Sequence, residues 1–186
     1  TPVPSSAASD VYKRQANIDQ AGILRAIHLA EDTLKRAGNP RPTIAVAALN
    51  PHAGDHGKFG REEIDIITPA IEACQRKQMD VSGPWPSDTV FLKAKRGEVD
   101  AVVTMYHDQG QIAIKLMGFE RGVTVAGGLP FPIATPAHGT AFDIAGQNKA
   151  NVSAMRQAFD LLLRMARTHS DNRATAELKA HQLKGI

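Results

Sequence analysis

The sequence predicts an α/β fold in which a mainly parallel sheet is flanked by helices. Short apolar runs rich in Val, Ile and Ala alternate with amphipathic stretches of helical period, and this alternation is typical of parallel βα units. The 186 residues are 42% apolar with a single cysteine, which suits a globular core and excludes an internal disulfide. The net charge is +3, with basic and acidic residues interspersed, so neither a nucleic-acid-binding stripe nor a membrane span is predicted.

Residues 1–15 are predicted to lie outside the fold. They are rich in Pro, Ser and Ala, carry no hydrophobic period and lack the apolar centre of a signal peptide. Residues 6–15 resemble the translated adapter sequence left at the broken end of an assembled read. We therefore expect this segment to be non-native or disordered, and the chain to be a C-terminal fragment of a longer protein.

The first half is predicted to contain two helices and one buried strand. The order is a helix over 16–37, a strand over 43–49, a Gly-rich loop over 50–60 and a helix over 61–78. Pro69 predicts a kink in the second helix because proline has no backbone N–H. An apolar face is predicted from four residues at helical spacing: Ile64, Ile67, Ile71 and Cys74, the last interpreted as an inert core thiol. An acidic first turn suits the helix dipole: Glu62, Glu63 and Asp65.

The second half is predicted to alternate strands, helices and turns. A rigid turn over 82–87 precedes a short helix ending at Lys95, capped by Ser87 or Asp88. The remaining elements follow in order: a strand over 101–105, a polar loop over 106–110, a helix ending at Gly118, a strand over 122–126, an irregular stretch over 127–140, a helix over 151–169 and a polar surface helix over 172–184.

Two histidines follow predicted strands and are candidate metal ligands. His52 lies after the first strand and His107 after the strand over 101–105. The carboxyl ends of parallel strands meet at one edge of a sheet, where ligands commonly bind. Two imidazoles at that edge could form an open divalent-metal site. The alternative, on spacing alone, is that each is a hydrogen-bonded loop histidine.

Three charged residues are candidates for catalysis near these histidines. Asp88 and Asp108 could orient a metal-bound histidine or transfer a proton, although either could instead cap a helix. Lys115 lies seven residues after Asp108, so two helical turns place both on one face. Its ammonium could bind a phosphate or carboxylate, or it could be an ordinary solvated lysine.

The segment over 138–151 is a candidate nucleotide-binding loop. Small residues at Gly139, Ala141 and Gly146 allow close approach of the backbone to a flat or phosphorylated ligand. The carboxylate of Asp143 could accept both ribose hydroxyls and would repel a 2′-phosphate. The Gly-x-Gly-x-x-Gly pattern of a Rossmann phosphate loop does not occur after any predicted strand.

Several ordered motifs resemble the 4-hydroxythreonine-4-phosphate dehydrogenase family of metal-dependent, NAD-linked enzymes. The resemblance covers residues 16–166. The motifs are Leu-Asn-Pro-His-Ala-Gly (49–54), Phe-Gly-Arg-Glu-Glu-Ile-Asp (59–65), Gly-Pro-Trp-Pro-Ser-Asp-Thr (83–89), Met-Tyr-His-Asp-Gln-Gly (105–110), Gly-Phe-Glu-Arg-Gly-Val (118–123) and His-Gly-Thr-Ala (138–141).

The resemblance implies a fold, a set of ligands and a partner. The fold would be that of isocitrate and isopropylmalate dehydrogenases, with a metal- and substrate-binding, dimer-forming lobe over 16–132 and the C-terminal part of a nucleotide-binding lobe over 133–186. His52 and His107 match two of three histidines that bind a divalent metal (zinc, cobalt, manganese, nickel or magnesium), and Lys115 matches a substrate-binding lysine. The third histidine and a substrate-binding His-Thr pair belong to the family's first half.

The resemblance also implies a cytoplasmic homodimer with its active site at the subunit interface, and an NAD site in the segment over 138–151. The implied cofactor-binding residues are His138, Gly139, Thr140, Ala141, Asp143, Ile144 and Asn151.

Two departures from the family pattern suggest a particular branch. Thr124 and Ile133 stand where the pyridoxine-pathway enzymes have a substrate-binding Asn and Arg, and 142–144 reads Phe-Asp-Ile where they have Leu-Glu-Leu. The pattern is more similar to the branch acting in carbohydrate metabolism, with Thr124 as a substrate-binding position. We expect oxidative decarboxylation of D-threonate or D-erythronate 4-phosphate to dihydroxyacetone phosphate and CO₂. The alternatives are 4-hydroxythreonine-4-phosphate oxidation in pyridoxal phosphate biosynthesis and an inactive metal- or nucleotide-binding fragment.

Overall fold

The computed structural model describes residues 17–183, apart from the side chains at 119 and 169–183. The described residues form two compact units: 17–31 with 41–117, and 32–40 with 118–183. The segment over 1–15 that the sequence predicts to be non-native lies outside the described residues. The predicted ligand-binding lobes, divided at 132, remain a prediction.

The first unit contains the predicted parallel sheet. Its strands are β1 (Ile44–Ala47), β2 (Val81–Trp85) and β3 (Ala101–Val103), in the order β2-β1-β3. Ile44 is paired with Val81 on one side and with Ala101 on the other, both in parallel register. All four residues of β1 are buried, as expected for the central strand of a sheet covered on both faces.

Three helices pack against the two faces of this sheet: α1 (Gln20–Arg36), α2 (Thr68–Gln75) and α3 (Val90–Lys95). Helix α4 (His107–Gly118) follows β3 and has no buried residue. Ile44 and Val46 of β1 pack with apolar residues of α1 and α2. Ala45 and Ala47 belong to a second buried cluster with Val90 at the start of α3. The alternation of the strand thus sorts larger side chains to one face and alanines to the other.

The predicted turn over 82–87 is wrong, because most of it forms strand β2. The sequence suggests a turn since glycine and two prolines fall within six residues. Pro84 is nevertheless tolerated because β2 lies at the edge of the described sheet. The register with β1 also shifts between Ala45 and Ala47, so the missing N–H falls at an irregularity in the ladder.

The helix predicted over 61–78 is irregular just before Pro69, where the sequence predicts a kink. A π-helical turn over Glu63–Ile67 leads into α2, and the backbone N–H of Thr68 donates to the carbonyl of Glu63. Pro69, at the start of α2, has no N–H with which to continue an α-helical ladder. The wide turn rotates the preceding residues. Ile64 is therefore 43% exposed and Glu63 only 3% exposed, so the predicted burial of Ile64 is wrong.

Replacing Ile67 with alanine is expected to lower the free energy of unfolding by about 2–5 kcal/mol, the usual cost of a cavity in a well-packed core. Ile67 is fully buried. Ile64→Ala, three residues earlier and exposed, is the matched control and should cost under about 1 kcal/mol. Denaturant unfolding of both variants measures the difference. Equal losses would contradict the rotation caused by the π-helical turn.

Cys74 lies in the core, as predicted. Its side chain is buried among Ile23, Ile27 and Ile71 in the main apolar cluster. Burial raises the pKa of the Cys74 thiol. A buried thiol that stays protonated is a poor nucleophile, which agrees with its interpretation as an inert core residue.

The second unit consists of a β-hairpin and a long helix. Strands β4 (Val123–Ala126) and β5 (Ile133–Pro136) pair antiparallel, and α5 spans Ser153–Leu183. The predicted irregular stretch over 127–140 is wrong at β5, and the predicted separate helix over 172–184 is a continuation of α5. Ala158 is buried, but Phe159 is 64% exposed. Within the described residues, no helix has the length and apolar character needed to cross a membrane.

Candidate functional site

The three parallel strands of the first unit end at one edge of the sheet, and candidate residues follow each of them. His52 comes five residues after the end of β1, Asp88 three residues after β2, and His107 four residues after β3. Because the strands are parallel, these three segments leave the sheet on the same side. The topology thus brings the predicted metal-binding and acid–base residues to a common edge.

The segment after β1 is a left-handed turn rather than the plain loop that its glycines predict. His52, Ala53, Asp55 and His56 all have φ between 40° and 56°. Left-handed backbone costs about 1–2 kcal/mol for each non-glycine residue, so the surrounding structure must stabilise this turn. The His52 side chain is exposed, and its ring centroid lies 6.1 Å from that of Phe59. Its imidazole is accessible to a ligand.

Buried Glu63 fixes the exit from β1. One carboxyl oxygen accepts the backbone N–H groups of Leu49 and Asn50, each at 2.8 Å. The other accepts the Asn50 side-chain amide at 2.9 Å, and Glu62 accepts the same amide at 2.6 Å. The sequence assigns Glu63 to the acidic first turn of a helix, whereas its side chain anchors the backbone two residues before His52.

Gln109 links the ends of β1 and β3. Its side-chain oxygen accepts the backbone N–H of Met105, and its amide nitrogen donates to the carbonyl of Ala48, both at 2.9 Å. The segments that lead to His52 and His107 are thereby tied by one side chain. Sequence analysis missed this role; the only available signal was a glutamine in the polar cluster after a strand.

His107 is oriented by its neighbour Asp108. Helix α4 begins at His107, so the predicted polar loop over 106–110 is wrong and most of it is the first turn of a helix. Nδ1 of His107 lies 2.8 Å from Oδ1 of Asp108. A neutral imidazole that donates from Nδ1 presents the Nε2 lone pair to a ligand, and carboxylates commonly orient metal-binding histidines through this hydrogen bond. Asp108 lies within the helix, not at its N-cap.

Asp88 and Asp108 line one cavity of about 360 Å³. Other residues on its wall include Ser87, Tyr106 and Gln109. The cap of α3 is Thr89, without a side-chain cap bond, so the predicted capping by Ser87 or Asp88 is wrong. Asp88 makes no hydrogen bond or ion pair within the described part of the chain, which leaves its carboxylate available to a ligand.

Lys115 lies two turns after Asp108 on α4, with an exposed side chain. It is not among the residues that line the cavity of Asp88 and Asp108. Thr124 is exposed on β4 opposite Thr135, and Ile133 on β5 is 40% exposed. Both positions of the branch-specific departure are thus at the surface of the second unit.

The donor set fits a divalent metal only in part. Accessible imidazoles at His52 and His107 are suitable ligands for such an ion. Within the described residues, however, no group of three His, Cys, Asp or Glu side chains is close enough to hold one. Further ligands would have to come from outside these residues, as the resemblance implies.

The segment over 138–151 surrounds a second cavity, of about 410 Å³, in the second unit. We call it the adenosine cavity, after the ligand proposed for it below. Of the predicted cofactor-binding residues, five line it: His138, Gly139, Ala141, Ile144 and Asn151. The structure does not bring Thr140 or Asp143 to its wall, and the carboxylate found there belongs to Glu120. Nδ1 of His138 donates to the carbonyl of Gly139 at 2.9 Å, so Nε2 can accept a hydrogen bond.

Comparison with known proteins identifies relatives over most of the chain. Residues 9–162 match the family described as "Pyridoxal phosphate biosynthetic protein PdxA". A Pseudomonas aeruginosa protein named "Putative 4-hydroxythreonine-4-phosphate dehydrogenase 2" is 61% identical over 153 residues, which cover 81% of this chain and 45% of the relative. A Salmonella typhimurium protein named "D-threonate 4-phosphate dehydrogenase" is 50% identical over 149 residues, with coverage of 80% and 46%. The chain spans less than half the length of these relatives.

Solved structures confirm the predicted fold class. A 4-hydroxythreonine-4-phosphate dehydrogenase from Klebsiella pneumoniae matches with a TM-score of 0.75 and 45% identity, over 86% of this chain and 48% of that one. A terephthalate 1,2-cis-dihydrodiol dehydrogenase from Burkholderia xenovorans matches with a TM-score of 0.68 and 32% identity, over 83% and 49%. The fold is therefore α/β of the isocitrate and isopropylmalate dehydrogenase type.

Proposed function

Because the chain belongs to the pyridoxal phosphate biosynthetic protein PdxA family, we propose that it is part of an NAD-dependent dehydrogenase for a phosphorylated hydroxy acid. The proposed enzyme also requires a divalent metal and decarboxylates its product. The preferred substrate is D-threonate or D-erythronate 4-phosphate. One of the relatives is named for D-threonate 4-phosphate, which supports this class of substrate.

The observation that supports the proposal is that His52 and His107 each follow the carboxyl end of one of two neighbouring parallel strands. Asp108 holds the His107 ring with Nε2 available, while Glu63 and Gln109 fix the backbone leading to each histidine. A bound divalent ion would polarise the substrate hydroxyl and lower its pKa. Zinc, cobalt, manganese, nickel and magnesium are all candidates, because two imidazole ligands do not determine the identity of the metal.

The reaction converts the secondary alcohol at C3 of the substrate to a ketone. NAD⁺, when bound, would accept the hydride from C3, and the hydroxyl proton would pass to a base. Asp88 and Asp108, which line one cavity, are the proposed proton acceptors. The resulting β-keto acid breaks its C1–C2 bond, releases CO₂ and takes up a proton at C2 to give dihydroxyacetone phosphate. Lys115 and Thr124 are proposed to bind the substrate, with the ammonium of Lys115 on its phosphate.

The adenosine cavity is the proposed site for the adenine end of NAD. Its size lies in the range of small-molecule sites, about 300–1,000 Å³, and the Gly139 backbone allows a flat base to approach closely. Nε2 of His138 could accept a hydrogen bond from the exocyclic amine of adenine. The remaining predicted contacts, from Thr140 and Asp143, stay predictions that the geometry of this cavity does not support.

A cytoplasmic homodimer is part of the proposal. Helix α4 carries His107, Asp108 and Lys115, and none of its residues is buried. Ile112 and Leu116 on this helix are 60% and 83% exposed, and large exposed apolar side chains on one helix favour a protein interface. A second copy covering this helix would place the interface beside the candidate site, as the family resemblance implies.

Substrate preference tests the proposed branch. We expect a full-length relative with Thr and Ile at the positions of Thr124 and Ile133 to have a kcat/KM at least about tenfold higher for D-threonate 4-phosphate than for 4-hydroxythreonine 4-phosphate. The expectation rests on the departure from the pyridoxine-pathway pattern at these two positions, and a tenfold ratio corresponds to about 1.4 kcal/mol. NADH absorbance with added divalent metal measures both rates. The reverse preference would contradict the proposed branch.

Two alternatives are tested by the same measurement, the first on the full-length relative and the second on this chain itself. The first is oxidation of 4-hydroxythreonine 4-phosphate, which would give an aminoacetone phosphate and is supported by the name of the 61% identical relative. The second is a metal- or nucleotide-binding fragment without activity, supported by the incomplete set of metal ligands among the described residues. A chain that binds nucleotide but oxidises neither substrate would favour the second alternative.

A further inference from the structure

The second unit contains another cavity besides the adenosine cavity. Its volume is about 350 Å³, and two arginines line it. Its wall consists of Glu120, Arg121, Val152, Ser153, Arg156 and Gln157. We call it the arginine cavity. The turn that carries Arg121 directly precedes β4, and Arg156 lies in the first turn of α5. Two chain segments thus bring guanidinium groups to one concave surface.

Neither guanidinium has an ion-pair partner within the described residues. Arg121 and Arg156 take part in no ion pair or hydrogen bond there through their side chains, although Glu120 lines the same cavity. Four other arginines of the described residues pair with nearby acids: Arg36 with Asp32, Arg61 with Asp65, Arg76 with Glu72 and Arg96 with Glu98. A cavity lined by two unpaired guanidinium groups suits an anion with several acceptor oxygens, above all a phosphate.

The two cavities share one lining residue. Glu120 lines both of them, and Asn151 of the adenosine cavity is followed directly by Val152 of the arginine cavity. The first cavity offers an apolar wall with an imidazole, the second offers two arginines, and the glutamate is common to both. A 5′-nucleotide has the same order of chemistry: a flat base, a ribose with hydroxyl donors, and phosphates.

We propose that the arginine cavity binds the 5′-phosphates of the adenine nucleotide whose base occupies the adenosine cavity. In this arrangement Glu120 accepts hydrogen bonds from the ribose hydroxyls, the role that the sequence suggests for Asp143. The inference rests on the proposed nucleotide site and extends it, because Arg121, Arg156 and Glu120 belong to none of the predicted cofactor contacts. The phosphate charge is neutralised by Arg121 and Arg156.

Calorimetric titration of the full chain with adenosine, ADP and inorganic phosphate tests the inference. We expect ADP to bind at least about tenfold more tightly than adenosine or inorganic phosphate, since two charge-assisted contacts are added to those of the base. In the double variant Arg121→Gln/Arg156→Gln, ADP affinity should fall to near that of adenosine, while adenosine affinity stays unchanged and reports an intact fold. Arg164→Gln, two turns further along α5, is the matched control and should bind ADP like the unmodified chain.

A second measurement does not depend on the variants. Raising the ionic strength should weaken the binding of ADP to the unmodified chain and leave adenosine binding unchanged. Equal affinities for ADP and adenosine, or an ADP affinity retained in the double variant, would each overturn the phosphate site and leave the adenosine cavity standing. Inorganic phosphate bound as tightly as ADP would show that the base adds no affinity and would overturn the link between the two cavities. Failure to bind either adenosine or ADP would overturn both. Arginine-dependent ADP binding without dehydrogenase activity would uphold the phosphate site alone.

Discussion

Replacing Glu63 with alanine is expected to lower the free energy of unfolding by about 3–5 kcal/mol. The substitution leaves the backbone N–H groups of Leu49 and Asn50, together with the Asn50 amide, without their acceptors. Each buried donor without a partner costs about 1–3 kcal/mol. Denaturant unfolding followed by the fluorescence of Trp85, the single tryptophan, measures the loss, because Trp85 belongs to β2 in the same unit.

Two further variants separate this hydrogen-bond network from a simple loss of charge. Glu62→Ala removes one contact to Asn50 from a half-buried neighbour and should cost no more than about 1 kcal/mol. Glu63→Gln keeps one acceptor for the two backbone donors but turns an amide donor toward the Asn50 amide, so an intermediate loss is expected. Similar losses for Glu62→Ala and Glu63→Ala would show that Glu63 does not fix the exit from β1.

The second large effect concerns activity. When this chain is joined to the upstream half of its Pseudomonas aeruginosa relative, His52→Ala and His107→Ala are each expected to lower metal-dependent NAD⁺ reduction by about a thousandfold or more. Activation of the substrate hydroxyl by a bound metal is worth several kcal/mol, and about 4 kcal/mol corresponds to a factor of a thousand. Initial rates with D-threonate 4-phosphate at saturating metal measure the change.

His56→Ala is the control for these variants. His56 belongs to the same left-handed turn as His52 and has a similar φ, 56° against 53°, but it has no counterpart among the matched metal ligands. Its replacement should leave the rate within about threefold of the unmodified chimera. A rate in His107→Ala that is close to that of His56→Ala would remove His107 from the metal site.

The hydrophobic pattern of the sequence predicted those helices and strands whose apolar side chains recur at a regular spacing and are buried in the structure. The strand over 43–49 is recognisable from its apolar run, and β1 is buried throughout. Strand β2 was missed because its glycine and prolines are typical of turns, and only its place at the sheet edge makes Pro84 acceptable. Strand β5 was missed for a related reason, since its partner β4 supplies the pairing that its own Pro-rich sequence does not suggest.

The sequence predicted only those candidate-site residues that have a suitable chemical type and directly follow a predicted strand. His52, His107 and Asp108 follow apolar runs and could be placed on that basis. Gln109 and Glu63 act through backbone contacts that no spacing reveals, because their partners lie 61 and 13 residues away in Ala48 and Asn50. The carboxylate at the wall of the adenosine cavity could not be found from spacing either: Glu120 lines the cavity from a different turn, whereas Asp143 does not line it and its role stays a prediction.

Titration of this chain with Co²⁺ or Ni²⁺, followed by absorbance, tests most directly whether His52 and His107 form part of a metal site. The two histidines provide an incomplete ligand set, so we expect weak binding that saturates only at metal concentrations well above that of the protein. His52→Ala and His107→Ala should each reduce it further, whereas His56→Ala should not. Binding that is unchanged when both His52 and His107 are replaced, or that is lost in His56→Ala instead, would contradict the account.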